Sequence, residues 1–427
     1  MLAHIITYFR VKKNKEDPAR INEKFGIASN EAVKKLEKYK QFCKKNKTKN
    51  KIAWIHAVSV GESLSVIEFV NKISKKGYFI VFTTTTITAA RIINDKLPEN
   101  SIHQYSAFQT TKYLKRFLKF WQPKIVFFTE SEIFPSLINI LHKDKIPFYL
   151  LNARLSEKSF KLWKIVKFYI KPLLKKYSFI FPLSEQEQEK FKILSNNQAK
   201  IKYFGNLKFD AAISSKNIIE KNFNNKNNNK IVKCNLLSKL FNDKTIIVFG
   251  SIHKEEYDYI LKQYLEITKK NNCIGIIVPR YIEESEKLKK QALNIGLKPI
   301  YIDDLTKQTK NKNLVIINKM DMLKYLYKIC DVAVICGSFA HGIGGHNPIE
   351  SIVMYKPTFI GSYCHKTQDL IDYLKKNEVI VQTMNLYDEI LLYLTNKNKK
   401  MKLKKNIQNL IKNHKNVSDK ILNLIKI

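Results

Sequence analysis

Three glutamates and one lysine stand at positions of this sequence where their side chains can act on a bound substrate. Glu62 ends the stretch SVGE, which directly follows an apolar run predicted to be a strand and opens a predicted helix. A carboxylate at such a strand end can act as a general base towards a hydroxyl group if burial raises its pKa. The alternative is a glutamate that only complements the helix dipole, and this segment alone favours that alternative.

Two further carboxylates, Glu130 and Glu132, follow a second predicted strand. They are two residues apart, so an extended backbone places both side chains on one face. Such a pair can position a sugar or share a proton, and solvated loop carboxylates before a helix are an equal alternative. Lys208, in the stretch GNLKFD, can reach a phosphate or a developing charge. A surface position is the alternative for any single lysine in a chain that contains so many.

Residues 336–350, with the sequence CGSFAHGIGGHNPIE, form the most glycine-rich stretch of the chain. They follow the apolar run Val332–Ile335, which predicts a short buried strand. The glycines let the backbone approach a ligand, and the Asn-Pro pair fits an N-cap and a first helical position. Together these features predict a nucleotide-phosphate site, and an ordinary strand–loop–helix corner is the alternative. Ser338, Gly345, His346 and Glu350 are candidate ligands in this loop.

Two other predicted strand ends carry candidate phosphate ligands. Ser251 follows the first strand of the second half, where its hydroxyl and nearby backbone N–H groups can hold a phosphate. Arg280, in the stretch VPR, ends the next strand, and an arginine at such a position is a good anion ligand. The sequence contains no G-x-x-x-x-G-K-[ST], no G-x-G-x-x-G and no metal-spaced histidine cluster. ATPase, NAD-dependent and zinc chemistry are therefore disfavoured.

These residues are positioned by apolar runs of strand length that alternate with segments of helical spacing. The predicted strands are Ile52–Val58, Tyr78–Phe82, Ile125–Phe128, Phe148–Leu151, Phe179–Leu183, Thr245–Phe249, Ile274–Val278, Leu314–Ile317, Val332–Ile335 and Thr358–Ile360. The alternation predicts an α/β protein with two Rossmann-like doubly wound parallel sheets and a cleft between the two domains. Most of the candidate residues follow strands, at the carboxyl ends where such sheets bind their ligands.

The length of 427 residues fits two domains better than one core. Residues 214–235 contain Asn-Asn and Lys-Asn runs with few hydrophobic residues, which predicts an interdomain linker or an exposed insertion. We therefore predict an N-terminal domain over residues 1–213, a linker over 214–235 and a C-terminal domain with terminal helices over 236–427.

The net charge is +39, because 76 lysines and arginines stand against 37 acidic residues. The excess is dispersed along the chain, which disfavours a nucleic-acid-binding protein and suits an acidic membrane surface or a phosphorylated lipid. Six cysteines without a C-x-x-C pair indicate free thiols in a reducing compartment. The apolar start, Met1–Phe9, is short for a signal segment, so we predict a cytosolic protein that can attach to a membrane face.

Taken in order, these segments resemble the 3-deoxy-D-manno-octulosonic acid (Kdo) transferases, which add Kdo to the lipid A precursor in Gram-negative bacteria. The matching segments are His56–Glu62, Thr83–Thr86, Glu130–Pro135, Asn152–Ser156, Gly205–Asp210, Gly250–Glu256, Pro279 with Arg280, and Gly344–Glu350. The resemblance implies a GT-B glycosyltransferase fold, an acceptor-binding N-terminal domain and a C-terminal domain that binds CMP-Kdo. Another GT-B glycosyltransferase or a UDP-sugar epimerase is the alternative within the same fold.

The resemblance also implies roles for individual residues. Glu62 matches the general base that deprotonates the glucosamine hydroxyl of the acceptor, and Glu130 and Lys208 match residues that stabilise the transition state. The positions that match CMP contacts are Pro279, Arg280, Met320, Asp321, Met322, Asn347, Pro348, Ile349 and Glu350. The implied reaction is an inverting displacement without metal or cofactor, at the cytoplasmic face of the inner membrane, where the protein is peripheral or weakly anchored.

Overall fold

The computed structural model describes Thr7, residues 9–13, 15–223 and 227–427, and the chain divides into two compact units. Unit 1 comprises Met1–Ala211 and His414–Ile427, and unit 2 comprises Ala212–Asn413. Most of the apolar start, Met1–Phe9, lies outside the described residues. Within the described part of the chain, no helix combines the length and the apolar character needed to cross a membrane.

Unit 1 is built on a six-stranded parallel sheet. Its strands are β1 (Ile52–His56), β2 (Phe79–Thr84), β3 (Ser101–Tyr105), β4 (Ile125–Thr129), β5 (Phe148–Ala153) and β6 (Phe179–Pro182). The strand order is β3-β2-β1-β4-β5-β6 and all five pairings are parallel. The order reverses between β1 and β4, so the loops after these two strands diverge and leave a crevice at their carboxyl ends.

Unit 2 contains a seven-stranded parallel sheet. Its strands are β7 (Thr245–Ile252), β8 (Cys273–Pro279), β9 (Pro299–Tyr301), β10 (Leu314–Ile316), β11 (Val332–Ile335), β12 (Thr358–Ile360) and β13 (Val381–Gln382). The order is β13-β12-β11-β7-β8-β10-β9, which reverses at the β7–β11 pair. The predicted α/β class with two doubly wound parallel sheets is confirmed.

The connection between β9 and β10 contains 3-10 helices, and the other consecutive strands within each unit are connected by α-helices. In chain order they are α1 (Asn30–Lys45), α2 (Val60–Ser65), α3 (Ile67–Lys75), α4 (Ile87–Asn94), α5 (Thr111–Trp121), α6 (Pro135–Lys143), α7 (Glu157–Ile165), α8 (Lys167–Leu174), α9 (Glu185–Ser195), α10 (Leu207–Asn222), α11 (Asn229–Leu240), α12 (Tyr257–Lys270), α13 (Ser285–Asn294), α14 (Leu323–Ile329), α15 (Ile349–Val353), α16 (Gln368–Lys376), α17 (Leu386–Thr395), α18 (Lys397–Asn413) and α19 (Val417–Leu424). Short 3-10 helices include Pro18–Phe25 and Lys254–Glu256.

The strands are buried on both faces, which is why they read as continuous apolar runs. In β1, Trp54 belongs to the hydrophobic cluster on one face of the sheet, and Ala53 and Ile55 belong to the cluster on the other face. All five residues of β1 are buried. The sheet of unit 1 therefore holds the loop after β1, and Glu62 in the helix that follows this loop, on a rigid support.

The polar strand β3 was not predicted from the sequence, although all of its residues are buried. Its side chains are paired: Thr84 Oγ1 lies 2.9 Å from His103 Nε2, and Trp121 Nε1 donates to Gln104 Oε1 at 2.8 Å. Arg20 also donates to the carbonyl of His103 at 2.8 Å. Partners distant in sequence make this polar strand stable, and a local apolar pattern cannot reveal them.

The two units differ from the predicted domain boundaries in two respects. Most of the segment 214–235 is helical, because Ile219, Ile231 and Cys234 are buried between the lysines and asparagines that dominate its composition. The last helix, α19, belongs to unit 1, where the buried carboxylate of Asp210 accepts hydrogen bonds from Val417 N–H at 3.1 Å and from the next N–H at 2.9 Å. Asp210 therefore caps a helix more than 200 residues away in sequence.

Candidate active site

Glu62 lies in the third position of α2, at the carboxyl end of β1, and its carboxylate accepts three hydrogen bonds. Val58 N–H and Thr129 Oγ1 each donate to Oε2 at 2.9 Å, and Ser59 Oγ donates to Oε1 at 2.9 Å. Burial raises the pKa of Glu62, the Val58 N–H opposes this effect, and the nearby charge of Glu130 adds to it. The result is a fixed carboxylate with a raised pKa, which suits a general base.

The local sequence explains how α2 presents this carboxylate. The predicted helix over 63–73 is broken at Val66, whose backbone angles are φ −105° and ψ 1°. Ser63 Oγ donates to the Ser59 carbonyl at 2.8 Å, and Ser65 Oγ donates to the Glu62 carbonyl at 2.7 Å. Serine hydroxyls that bond back to the backbone compete with the helical pattern, so a short helix ends before α3 begins.

Glu130 and Lys208 form an ion pair near Glu62 in unit 1. Lys208 Nζ lies 2.7 Å from Glu130 Oε1, with the two side chains 24% and 15% exposed. Glu130 has φ +55°, and its backbone is held there because its N–H donates to the Leu151 carbonyl and its carbonyl accepts from Arg154 N–H. A left-handed backbone at a glutamate costs free energy, and strained residues of this kind cluster at functional sites.

Lys208 is positioned by side chains from two of the segments singled out in the sequence. Asn152 Oδ1, from the end of β5, accepts the N–H of Leu207 at 2.9 Å, and Asn206 Oδ1 accepts the N–H of Lys208 at 2.8 Å. His414 Nδ1 in turn accepts the N–H of Asn206 at 3.0 Å. These contacts cap the first turn of α10 and direct its lysine towards Glu130.

Glu132 completes a group of three carboxylates with Glu62 and Glu130. Burial, together with the charges of Glu62 and Glu130, raises the pKa of Glu132 to about 7. Its Oε2 lies 3.9 Å from Nε2 of His56, a buried histidine whose pKa burial lowers to about 4. A neutral imidazole and a partly protonated glutamate therefore stand beside the candidate base.

The raised pKa of Glu132 predicts a pH-dependent stability. Below its ordinary pKa of 4.5 the group is protonated in both the folded and unfolded states, so this stabilising contribution is fully present. It is lost as pH rises through about 7, because the folded state must then hold a buried negative charge. Relative to wild type, Glu132→Gln is expected to gain about 1–3 kcal/mol of unfolding free energy at pH 8 and much less at pH 4.5. Urea titrations of both proteins across this range measure the difference, and parallel pH profiles would contradict it.

In unit 2, the glycine-rich loop after β11 is organised by a buried carboxylate. Glu256 Oε2 accepts the N–H of Gly337 at 2.7 Å and that of His253 at 3.0 Å, and Oε1 accepts the N–H of Phe339 at 2.9 Å. The Glu256 side chain is fully buried. Two N–H groups that the sequence pattern assigned to a bound phosphate are therefore occupied by Glu256.

Removing the Glu256 carboxylate is expected to loosen this loop. Glu256→Ala leaves three buried N–H groups without their acceptor, which is expected to lower the unfolding free energy by about 3 kcal/mol. Glu256→Gln keeps an acceptor oxygen and is expected to cost less. The exposed neighbour Glu255→Ala is the matched control, and urea denaturation measures all three. An unchanged stability in Glu256→Ala would show that the loop is held by other contacts.

Two histidines meet beside Arg280 at the carboxyl ends of β7, β8 and β11. The Nε2 atoms of His253 and His346 are 2.8 Å apart, and the rings stack at 5.0 Å with a 13° tilt. Burial, together with the nearby His253 and Arg280, lowers the pKa of His346 to about 4. Gly337, with φ +79°, leaves the space that the His346 ring fills. Neutral imidazoles and an exposed guanidinium are suited to bind a polar anionic ligand.

Four other predicted ligands of unit 2 lie near the ends of β7 and β8 and in the glycine-rich loop. Pro279 ends β8, and Ser251 stands in β7 with φ +60°. Ser338 is buried, and its hydroxyl donates to the Ile335 carbonyl and accepts from Gly361 N–H, so it stabilises the loop itself. Gly345 has φ +84° and is packed against Cys364.

The helix predicted after the Asn-Pro pair is shorter and begins later than expected. Helix α15 has five residues, begins at Ile349, and has Pro348 at its N-cap position. Asn347 Oδ1 accepts the Ile349 N–H at 3.0 Å, and Glu350 is exposed in the first turn. The turn at residues 320–322 precedes α14, with Met320 69% exposed, Asp321 at φ +58° and Met322 buried.

Sequence reasoning missed the contributions of Thr129, Glu256 and His253. The position of these segments at strand ends singled them out, but it did not identify the side chains that bond to Glu62 and to the glycine-rich loop. The local signal for the Thr129 contact is its position: Thr129 ends β4, and Glu62 follows β1, the strand that pairs with β4. Glu256 lies about 80 residues from the two N–H groups of the glycine-rich loop that it binds, so no local pattern could identify these contacts.

Comparisons with known proteins relate the whole chain to one group. Residues 19–211 match the family model described as 3-deoxy-D-manno-octulosonic-acid transferase (kdotransferase). A 3-deoxy-D-manno-octulosonic acid transferase of Rickettsia felis is 27% identical over 465 residues, covering 99% of this chain and 96% of the relative.

Two solved structures extend the comparison to the fold. A UDP-GlcNAc 2-epimerase from Neisseria meningitidis has a TM-score of 0.61 at 14% identity, covering 88% of this chain and 100% of its own. A glycosyltransferase from Rickettsia africae has a TM-score of 0.53 at 15% identity, covering 88% and 98%. At these identities, the two structures show similarity of fold alone.

Proposed function

This chain belongs to the Kdo transferase family and is a glycosyltransferase of the GT-B fold, and from that premise we propose that it transfers Kdo from CMP-Kdo to a lipid A precursor. The observation that carries the proposal is the carboxylate of Glu62, fixed by three donors at the point where the strand order of unit 1 reverses. The glucosamine hydroxyl of the acceptor is the proposed nucleophile, and Glu62 is the base that takes its proton.

The proposed reaction is an inverting displacement at the anomeric carbon of Kdo. The acceptor oxygen forms the new bond to that carbon while the bond to the CMP phosphate breaks on the opposite face. The proton of the hydroxyl passes to Glu62, and the electron pair of the broken bond leaves with CMP. A single base and an electrostatic site for the departing phosphate are sufficient for this step.

Cationic groups support the stabilisation of the developing charge. Lys208 is held by Glu130 and by the capped first turn of α10, so it is fixed before the substrate arrives. Arg280, beside the His253–His346 pair, is the proposed ligand of the CMP phosphate. A nucleoside monophosphate carries less charge than a diphosphate, so fixed cationic side chains can neutralise it without a metal ion.

The remaining positions of unit 2 that match CMP contacts belong to the same proposal. They are Pro279, Met320, Asp321, Met322, Asn347, Pro348, Ile349 and Glu350. Exposed Glu350 is the proposed acceptor of ribose hydroxyls, whereas buried Met322 contributes through its backbone. We further propose that the protein works at the cytoplasmic face of the inner membrane, where its lipid acceptor lies.

CMP release tests this function directly. With CMP-Kdo and lipid A precursor together, purified protein is expected to release CMP, and to release little with either compound alone. UDP-N-acetylglucosamine offered in place of CMP-Kdo is expected to remain intact, and CMP is expected to raise the Tm of the protein more than UDP does. Turnover of the UDP-sugar, with stabilisation by UDP and none by CMP, would indicate a different sugar-nucleotide enzyme on the same fold.

A further inference from the structure

Helices α7 and α8 of unit 1 carry an exposed apolar surface. Ile165 and Phe168 are 78% and 81% exposed, more than any other large apolar side chain in the described part of the chain. Leu162 and Tyr169 are also exposed, so four large apolar side chains lie within eight residues of sequence. Clusters of this kind on a folded protein mark an interaction surface more often than isolated exposed residues do.

The packing of the two helices explains why this surface is left open. No residue of α7 is fully buried, and only Phe160 and Trp163 pack against the core of unit 1. Helix α8 is anchored by three buried residues, Ile170, Leu173 and Leu174. The apolar residues that face outward are therefore not needed for the core, and the helices would remain attached without them.

Unpaired lysines surround the apolar residues. Between residues 157 and 176 there are seven lysines and one acidic residue, Glu157. Glu157 is already paired with Lys190 at 2.7 Å. Lys158, Lys161 and Lys164 are exposed, and the described residues include no ion-pair partner for them. The surface thus combines apolar side chains with a net positive charge that is not neutralised within the protein.

We propose that this docking surface, formed by Leu162, Ile165, Phe168 and Tyr169 with Lys158, Lys161 and Lys164, binds an anionic phospholipid bilayer. Apolar side chains that enter the acyl boundary while lysines meet the phosphates are the chemistry of interfacial helices. The proposal deepens the proposed function, on which it rests, because a lipid acceptor would be met at that bilayer.

The position of the docking surface in unit 1 agrees with this role. Helix α7 begins four residues after β5 ends at Ala153, at the carboxyl edge of the sheet. In the intervening loop, the N–H of Arg154 donates to the Glu130 carbonyl. A bilayer bound at α7 and α8 would therefore lie at the edge of the sheet that carries the candidate base.

Vesicle sedimentation with the full chain tests the proposal. Wild-type protein is expected to bind vesicles of phosphatidylglycerol and phosphatidylcholine at least about tenfold more tightly than phosphatidylcholine alone. The double variant Ile165→Asp/Phe168→Asp is expected to lose at least about tenfold of this binding. Phe42→Asp, at an exposed phenylalanine of α1, is the matched control and is expected to bind like wild type.

The lysines provide a second, independent variant set. Replacing Lys158, Lys161 and Lys164 by glutamine is expected to weaken binding by roughly a hundredfold, at about fivefold for each lysine. Added salt should weaken wild-type binding in the same direction. Trp163 stands among these residues, and its emission is expected to shift to shorter wavelength with anionic vesicles in wild type and not in the double variant.

Three outcomes would overturn the proposal. Equal vesicle binding by wild type and both variant sets would place the membrane contact elsewhere. Absence of vesicle binding by wild type would show that the docking surface does not bind a bilayer. Self-association that the double variant abolishes, without vesicle binding, would identify an interface between copies of the chain. Turnover with detergent-dispersed acceptor separates this test from the proposed function: inactive protein that still binds vesicles as expected would contradict the proposed reaction and leave the docking surface in place.

Discussion

Glu62→Gln is expected to lower kcat for CMP release by about a thousandfold, with a small change in KM for CMP-Kdo. Glutamine has the shape of glutamate, and its amide oxygen can keep the contacts to Val58 and Thr129, while its NH2 group can donate to Ser59 Oγ. It has no basic oxygen that can take the proton of the acceptor hydroxyl. The predicted loss is therefore chemical, and the variant should fold with a far-UV spectrum and Tm close to those of wild type.

Glu68→Gln is the matched control for this prediction. Glu68 lies on α3, in the same unit, and its carboxylate forms a long ion pair of 3.8 Å with Lys72. Its variant is expected to retain kcat within about twofold, as is usual for surface substitutions. A Glu62→Gln protein with wild-type kcat would remove Glu62 from the mechanism, whatever the control shows.

Lys208→Met is expected to lower kcat by about a hundredfold or more, because a fixed cation is lost where negative charge develops in the transition state. Glu130→Gln should give a smaller loss, since its main contact in unit 1 is the 2.7 Å ion pair that holds the lysine. The double variant is expected to be no slower than Lys208→Met alone, because Glu130 acts through the lysine.

Lys192→Met tests whether the loss of any lysine ion pair has the same effect. Lys192 pairs with Glu189 on α9 at 2.7 Å, the distance found for Lys208 and Glu130, but at an exposed site. Its variant is expected to leave kcat unchanged within about twofold. Additive losses in the Glu130→Gln/Lys208→Met double variant would indicate that Glu130 has a role of its own at the substrate.

The strands that could be predicted from sequence are those buried on both faces. Nearly all are apolar runs whose observed bounds lie close to the predicted ones: β11 has the predicted bounds, and β1 ends two residues earlier than predicted. Strand β3 escaped prediction because His103 and Gln104 are buried with partners from other elements. Helix α11 escaped because its first half lies in the lysine- and asparagine-rich segment, whose composition hides the four buried residues Ile231, Cys234, Leu237 and Leu240.

The candidate site was predictable at the level of segments. The loops after β1 and β4 were expected to share one edge of the sheet, and the structure brings Glu62 into contact with Thr129 there. The glycine-rich loop was expected to offer its N–H groups to a ligand, but Glu256 binds two of them. That difference depends on a contact between distant parts of the chain, which only the fold determines.

Mass spectrometry of the lipid A precursor, after incubation with the protein and CMP-Kdo, detects the proposed transfer itself. A mass gain of one or more Kdo units is expected with wild-type protein, retained by Glu68→Gln and lost by Glu62→Gln. The same spectrum gives the number of Kdo units added. An unchanged acceptor mass with folded, CMP-binding wild-type protein would contradict the proposed transfer.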